Sequence, residues 1–318
     1  MGATAPIEHG TRAPAPSSAV PQRHVDCSIL VNMMKAFALV LFALPVTACT
    51  VGPDGTAPAQ TGSDDGSNAG TGQTVPTGGD MHITADTTWS STMAITGSVV
   101  IDSGATVTVA AGTVLGFASG GTLTINGTLD VQGAKGNTVT FKPATGVNFN
   151  DIQVAGTMKL AYVESTGGGF QLQSTATATI TDSRFSQAAG DLLVMNGGTL
   201  SFKYSQVGLD TATGDTTHCD LHFGGGDPHI TASHSSFRTS SYGLMFYAGQ
   251  NADFTYTNWV NNQTNVDGTA GVVTGNFSNS YFMGAAPVGN SYTLTNTSTT
   301  TMVPACDGTN DATCAGVR

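Results

Sequence analysis

One short motif recurs along this chain at a nearly constant interval: a small residue, any residue, then a large apolar one. It reads Ala161-Tyr162-Val163, Ser183-Arg184-Phe185, Ser205-Gln206-Val207, Thr257-Asn258-Trp259 and Ser280-Tyr281-Phe282, with Ser236 before Phe237 in the same series. The anchors stand at Phe141, Val163, Phe185, Val207, Phe237, Trp259 and Phe282, an even step broken only by a longer one from Val207 to Phe237. A second column of period-2 apolar segments precedes them, among them Ile152-Gln153-Val154, Phe170-Gln171-Leu172, Leu192-Leu193-Val194, Leu221-His222-Phe223 and Leu244-Met245-Phe246. A unit this small cannot bury its own apolar face. Stacking coils at about 4.8 Å buries them all in one continuous core. Upstream, Thr106–Val109, Thr122–Ile125 and Thr138–Phe141 recur at a shorter step, which predicts coils with tighter turns there.

Composition supports strands and excludes long helices. Only 10% of the residues are charged and 41 are Gly, too few helix-forming charges for amphipathic helices. The net charge of -11 argues against nucleic acid and anionic membrane surfaces as partners, since both need clustered cations. The predicted fold is all-β, a parallel β-helix of about nine coils and roughly 45 Å length. Residues 82–98, with Trp89, are expected to cap one end, and the tail 283–318 the other.

The stretch Val99-Val100-Ile101-Asp102-Ser103-Gly104-Ala105-Thr106 through Asn126-Gly127-Thr128-Leu129 resembles the N-terminal coils of secreted bacterial right-handed parallel β-helix proteins. That is the architecture shared with pectate lyases, and the resemblance covers roughly 82–290. It implies the fold and its handedness and says little about activity, because unrelated functions use this architecture. Pectate lyase and polygalacturonase site motifs are missing from the chain.

The organisation follows from the flanks. Residues 1–32 read as a segment upstream of the true start at Met33 or Met34. Residues 33–48 read as a lipoprotein signal peptide, with Lys35 before the apolar run Ala36–Leu44, too short to span a bilayer. Val46-Thr47-Ala48-Cys49 resembles a lipobox, which implies lipidation at Cys49, a membrane anchor and outer-membrane placement. Residues 49–80 form a Gly/Thr/Ser/Pro tether of roughly 30 Å, residues 81–290 the β-helix, and 291–318 the tail.

Two features carry chemistry. Cys306 and Cys314 lie in the polar tail of an exported chain and predict a disulfide. Cys219 falls on the inward face with Leu221 and Phe223 and reads as an inert buried thiol. Four of the seven His lie between 218 and 234, in the coil that the longer step expands. With Leu221 and Phe223 inward, strand alternation sends His218, Asp220 and His222 outward in one row, His229 folding back towards them over Gly224–Gly226. Such a row suits a divalent cation, which would be the cofactor here. Asp220 and His222 are equally the candidates for acid–base chemistry on a sugar. Against both stands an ordinary solvated loop.

The predicted function is a tethered, non-catalytic rod for adhesion, envelope structure or neutral-glycan binding, with Gln153, Gln173, Tyr247 and Asn258 as outward contacts. The alternative is a polysaccharide lyase or glycoside hydrolase with a divergent site near 218–234. The Thr-x-Thr rows also suggest an ice-binding face. Thr simply favours strands, however, and the rows show no continuation past Phe141 at the same register.

Overall fold

Each coil lays down one short strand on each of three parallel sheets, and among the described residues 28 strands build sheets of nine, ten and nine strands. This is a computed structural model, and it describes residues 81–318 except 147, 212–213, 248–250, 271–273 and 289–290. The upstream segment, the signal peptide, the tether and Cys49 lie outside the described residues. No helix occurs among the described residues, so the chain folds as the parallel β-helix that its repeat predicts. Alternation explains the packing: in Thr177–Thr181, Ala178 and Ile180 point inward while Thr177 and Thr179 face solvent. Inward columns stack coil on coil, as in Phe237 against Trp259 with ring centroids 4.6 Å apart.

Register corrects three points of the periodicity. Thr106–Ala110, Thr122–Ile125 and Val139–Pro143 sit in three different sheets, with one strand between each pair, so the shorter upstream recurrence steps over one side of the helix at a time and falls short of a full coil. Thr106 instead pairs with Thr128. Ser165, not Val163, occupies the anchor column between Phe141 and Phe185, while Val163 pairs with Val139. Residues 81–95 are not a cap: their three strands form a complete first coil, with Trp89 buried inside it.

The small residue of the motif has a structural cause. Ser183, Ser205, Ser235, Thr257 and Ser280 are all fully buried at one corner. Ser183 Oγ accepts from Val163 N–H at 2.9 Å, Ser205 Oγ from Ser183 N–H at 3.1 Å, and Ser235 Oγ from Ser205 N–H at 3.2 Å. The ladder satisfies amide groups that the corner takes out of the sheet, each bond worth about 1 kcal/mol net. Directly before each hydroxyl stands a residue of left-handed backbone: Asp182, Tyr204, His234, Tyr256 and Asn279, with φ between 50° and 59°. Asn, Asp and His tolerate that region better than most.

The tail runs back along this corner as a strap, in addition to any cover it gives the end of the rod. Ser298 N–H reaches Ser280 O, Asn258 Nδ2 reaches Val303 O, Gly316 N–H reaches His234 O, and Arg318 reaches Asp182. These contacts step to earlier coils as the chain proceeds. The Cys306–Cys314 disulfide forms as expected.

Candidate functional site

The expansion of the repeat lies between Val207 and Phe237, which pair directly across neighbouring coils. It folds onto the preceding corner: Thr216 Oγ1 donates to Ala188 O at 2.9 Å, and His218 N–H to Gly190 O at 2.8 Å. That fold-back delivers His218 and the strand Cys219–Phe223 beside Asp191, which sits just before the strand Leu193–Met195 of the previous coil.

Asp191 is the hub. One carboxylate oxygen meets His218 Nδ1 at 2.8 Å, and the other meets His222 Nδ1. Cys219 Sγ lies 3.3 Å from His218 Nδ1. Donor atoms of Asp191, Cys219 and His222 all fall within 4.8 Å of one another. The His218 side chain is 53% exposed, whereas His222 and Asp191 are 18% and 19% exposed, so the cluster grades from wet to nearly dry. His222 stacks on Tyr247 at 5.3 Å, and His218 meets Tyr242 edge-on.

Burial pushes the Asp191 carboxyl upward, but hydrogen bonds from His222, His218 and Cys219 outweigh it and hold the group well below the usual carboxylate range. Burial, followed by the hydrogen bond to Asp191, raises the Cys219 thiol far above its ordinary value. Without a metal the thiol is therefore protonated and a poor nucleophile.

Asp220 does not join the row expected of it. It is fully buried, and neither carboxylate oxygen has a hydrogen-bond partner. The cause is the corner. Leu193 pairs with Leu221, so Asp220 occupies the place that Leu192 holds one coil earlier, where two consecutive residues both turn inward. Alternation fails at that point, and Asp191 supplies the carboxylate expected from Asp220. Burial, then the Asp215 carboxylate, pushes Asp220 well above the usual range; the Ser240 hydroxyl and the Arg238 backbone oppose this. Ser240 Oγ bonds Asn262 Oδ1 at 3.1 Å, which leaves Asp220 without a bond of normal geometry.

His229 and His234 also lie elsewhere. His229 is on the ten-stranded sheet, exposed and 3.5 Å from Asp227. His234 stacks between Tyr204 and Tyr256 at the strap corner. Of the expected glycan contacts, Tyr247 is exposed, but Asn258 is buried under the tail, bonded to both Val303 N–H and Val303 O. Gln153 and Gln173 are partly buried and bond each other at 3.3 Å.

A second surface emerges only from register. Thr106, Thr128, Thr157, Thr177 and Thr199 pair in succession and form one outward column on the ten-stranded sheet. The threonine rows do continue past Phe141, contrary to the sequence expectation. The neighbouring column runs Thr108, Asp130, Lys159, Thr179, Ser201 and Thr231, so two charges interrupt its hydroxyls.

No protein family, curated protein or solved structure matches this chain.

Proposed function

We propose that this chain is a lipid-tethered, non-catalytic rod of the bacterial outer envelope that binds a neutral glycan along its ten-stranded sheet. The observation that carries the reading is the in-register ladder Thr106, Thr128, Thr157, Thr177 and Thr199. It repeats a hydroxyl and a methyl at about 4.8 Å along the rod. Hydroxyl rows of that kind exchange hydrogen bonds with sugar hydroxyls, and the methyls pack against sugar C–H faces. An ice lattice needs an unbroken array, which Asp130 and Lys159 deny; a hydrated glycan chain accommodates both charges. Lipidation of Cys49 supplies the anchor, and residues 49–80 the reach.

The test is binding of the chain to soluble and insoluble neutral polysaccharides. Thr157→Val, Thr177→Val and Thr199→Val together keep the β-branched shape and remove only hydroxyls. The triple variant is expected to bind at least ~10-fold more weakly, equivalent to ~1.4 kcal/mol. Unchanged binding would refute the ladder as the contact surface.

A second reading, a polysaccharide lyase or glycoside hydrolase, draws support from the Asp191–His222 pair. A carboxylate on Nδ1 fixes the imidazole so that its other nitrogen can exchange a proton with a sugar.

A further inference from the structure

We propose that Asp191, Cys219 and His222 form a binding site for one transition-metal ion of the zinc class, with His218 as an auxiliary ligand at its rim. Three donor types converge there from two coils: a carboxylate oxygen, a thiol sulfur and an imidazole nitrogen, all within 4.8 Å of one another. Strand alternation alone would hold Cys219 and His222 on opposite faces. Their donor atoms nevertheless both reach Asp191, which stands at the corner where Asp220 turns inward.

The donor set selects the metal. Sulfur and nitrogen donors suit Zn²⁺ and its neighbours, whereas Ca²⁺ and Mg²⁺ take oxygen. Donor atoms around a tetrahedral ion with bonds of about 2.0–2.3 Å stand somewhat over 3 Å apart, close to the 3.3 Å between Cys219 Sγ and His218 Nδ1. Three protein ligands leave a coordination position for His218 or water. Tyr247, stacked on His222, and Tyr242, against His218, hold the two rings in place. Binding forms a metal–sulfur bond and releases the Sγ proton to solvent, with no change of oxidation state.

The experiment uses the full chain with Cys27→Ser and Cys49→Ser, which leaves Cys219 as the single free thiol beside the disulfide. Titration with Co²⁺ alone is followed by absorption. One equivalent is expected to bind with Kd below ~10 μM, to show thiolate-to-cobalt charge transfer, and to be displaced by Zn²⁺. Adding Cys219→Ser is expected to abolish the charge-transfer band, and Asp191→Asn or His222→Ala to weaken binding at least ~30-fold. His82→Ala, at the separate exposed His82–Asp102 pair, is expected to change nothing. If Cys219→Ser fails to fold, the band in the parent and the two other variants decide. No saturable binding, a parent spectrum without a thiolate band, or affinity unchanged in Asp191→Asn would each overturn the site.

Discussion

Arg318→Ala should release the strap while leaving the β-helix standing. The Arg318 guanidinium donates from Nε and Nη2 to the two oxygens of Asp182, both at 2.7 Å, and from Nη1 to Asp311 at 3.2 Å. It also lies 3.9 Å above the Tyr204 ring. The Asp182 side chain is 3% exposed and that of Arg318 32%, so water screens one partner but not the other. Two charge-assisted bonds to a buried carboxylate, discounted for the exposed arginine, suggest a loss of about 2–3 kcal/mol on removal. The readout is hydrogen exchange at Gly316 N–H, which bonds His234 O at 2.9 Å. A loss of ~2 kcal/mol raises local opening roughly 30-fold, while exchange in the strand Thr177–Thr181 should not change. Asp182→Asn is the clean partner variant, because Asn tolerates the left-handed backbone at that position. Combining the two should cost less than the sum of the single effects by at least ~1 kcal/mol. Unchanged protection of Gly316 in Arg318→Ala, or additive effects, would refute the clamp.

Other perturbations test the corner, the surface and the anchor. Asp220→Leu copies Leu192 one coil earlier and removes a carboxylate without partners, so it should raise stability by about 2 kcal/mol in urea titration; a fall would show that the corner needs the acid. Burial raises the Asp253 pKa, the Asn276 hydrogen bond opposing it only in part. Its folded value therefore lies above the unfolded value of about 3.9, and its ionisation favours the unfolded chain. The protonated acid's contribution is complete below about pH 3.9 and is lost as pH rises through the folded pKa. Asp253→Asn should match the parent in acid and exceed it at neutral pH, and an equal Tm difference at every pH would contradict this. Cys49→Ser should leave the circular-dichroism spectrum of a β-rich chain intact while moving the protein out of the membrane fraction, and continued fractionation with lipid would refute Cys49 as the acyl acceptor.

The architecture was legible because two periodicities, the long one of the coil and the alternation along each strand, are written directly in apolar residues. Where a coil deviates, spacing alone misleads. Val163 falls one full repeat after Phe141, yet Ser165 takes that column because the first of these coils is longer and the next shorter. The threonine ladder was hidden for the same reason, its members Thr106, Thr128, Thr157, Thr177 and Thr199 standing at unequal intervals along the chain. Only pairing aligns them. The His-rich coil stands out in the sequence by its extra length, and in the fold its His218 and His222 come together on Asp191. Asp191 was missed because it belongs to the previous coil and stands just outside the strand pattern. Cys219 lies buried as its alternation with Leu221 and Phe223 predicts, and it is Asp220 that departs from that alternation, at the corner. A repeat therefore reports strands well and corners poorly, and this candidate site is built at a corner.

The proposed rod holds a neutral glycan without cutting it. The direct measurement is to incubate the full chain with the polysaccharide it retains best and follow bound fraction and glycan chain length together. Saturable binding is expected, weakened when Thr157, Thr177 and Thr199 are all replaced by Val, with chain length constant over time. Progressive shortening of the glycan, abolished by His222→Ala, would contradict it and make the Asp191–His222 pair an active site.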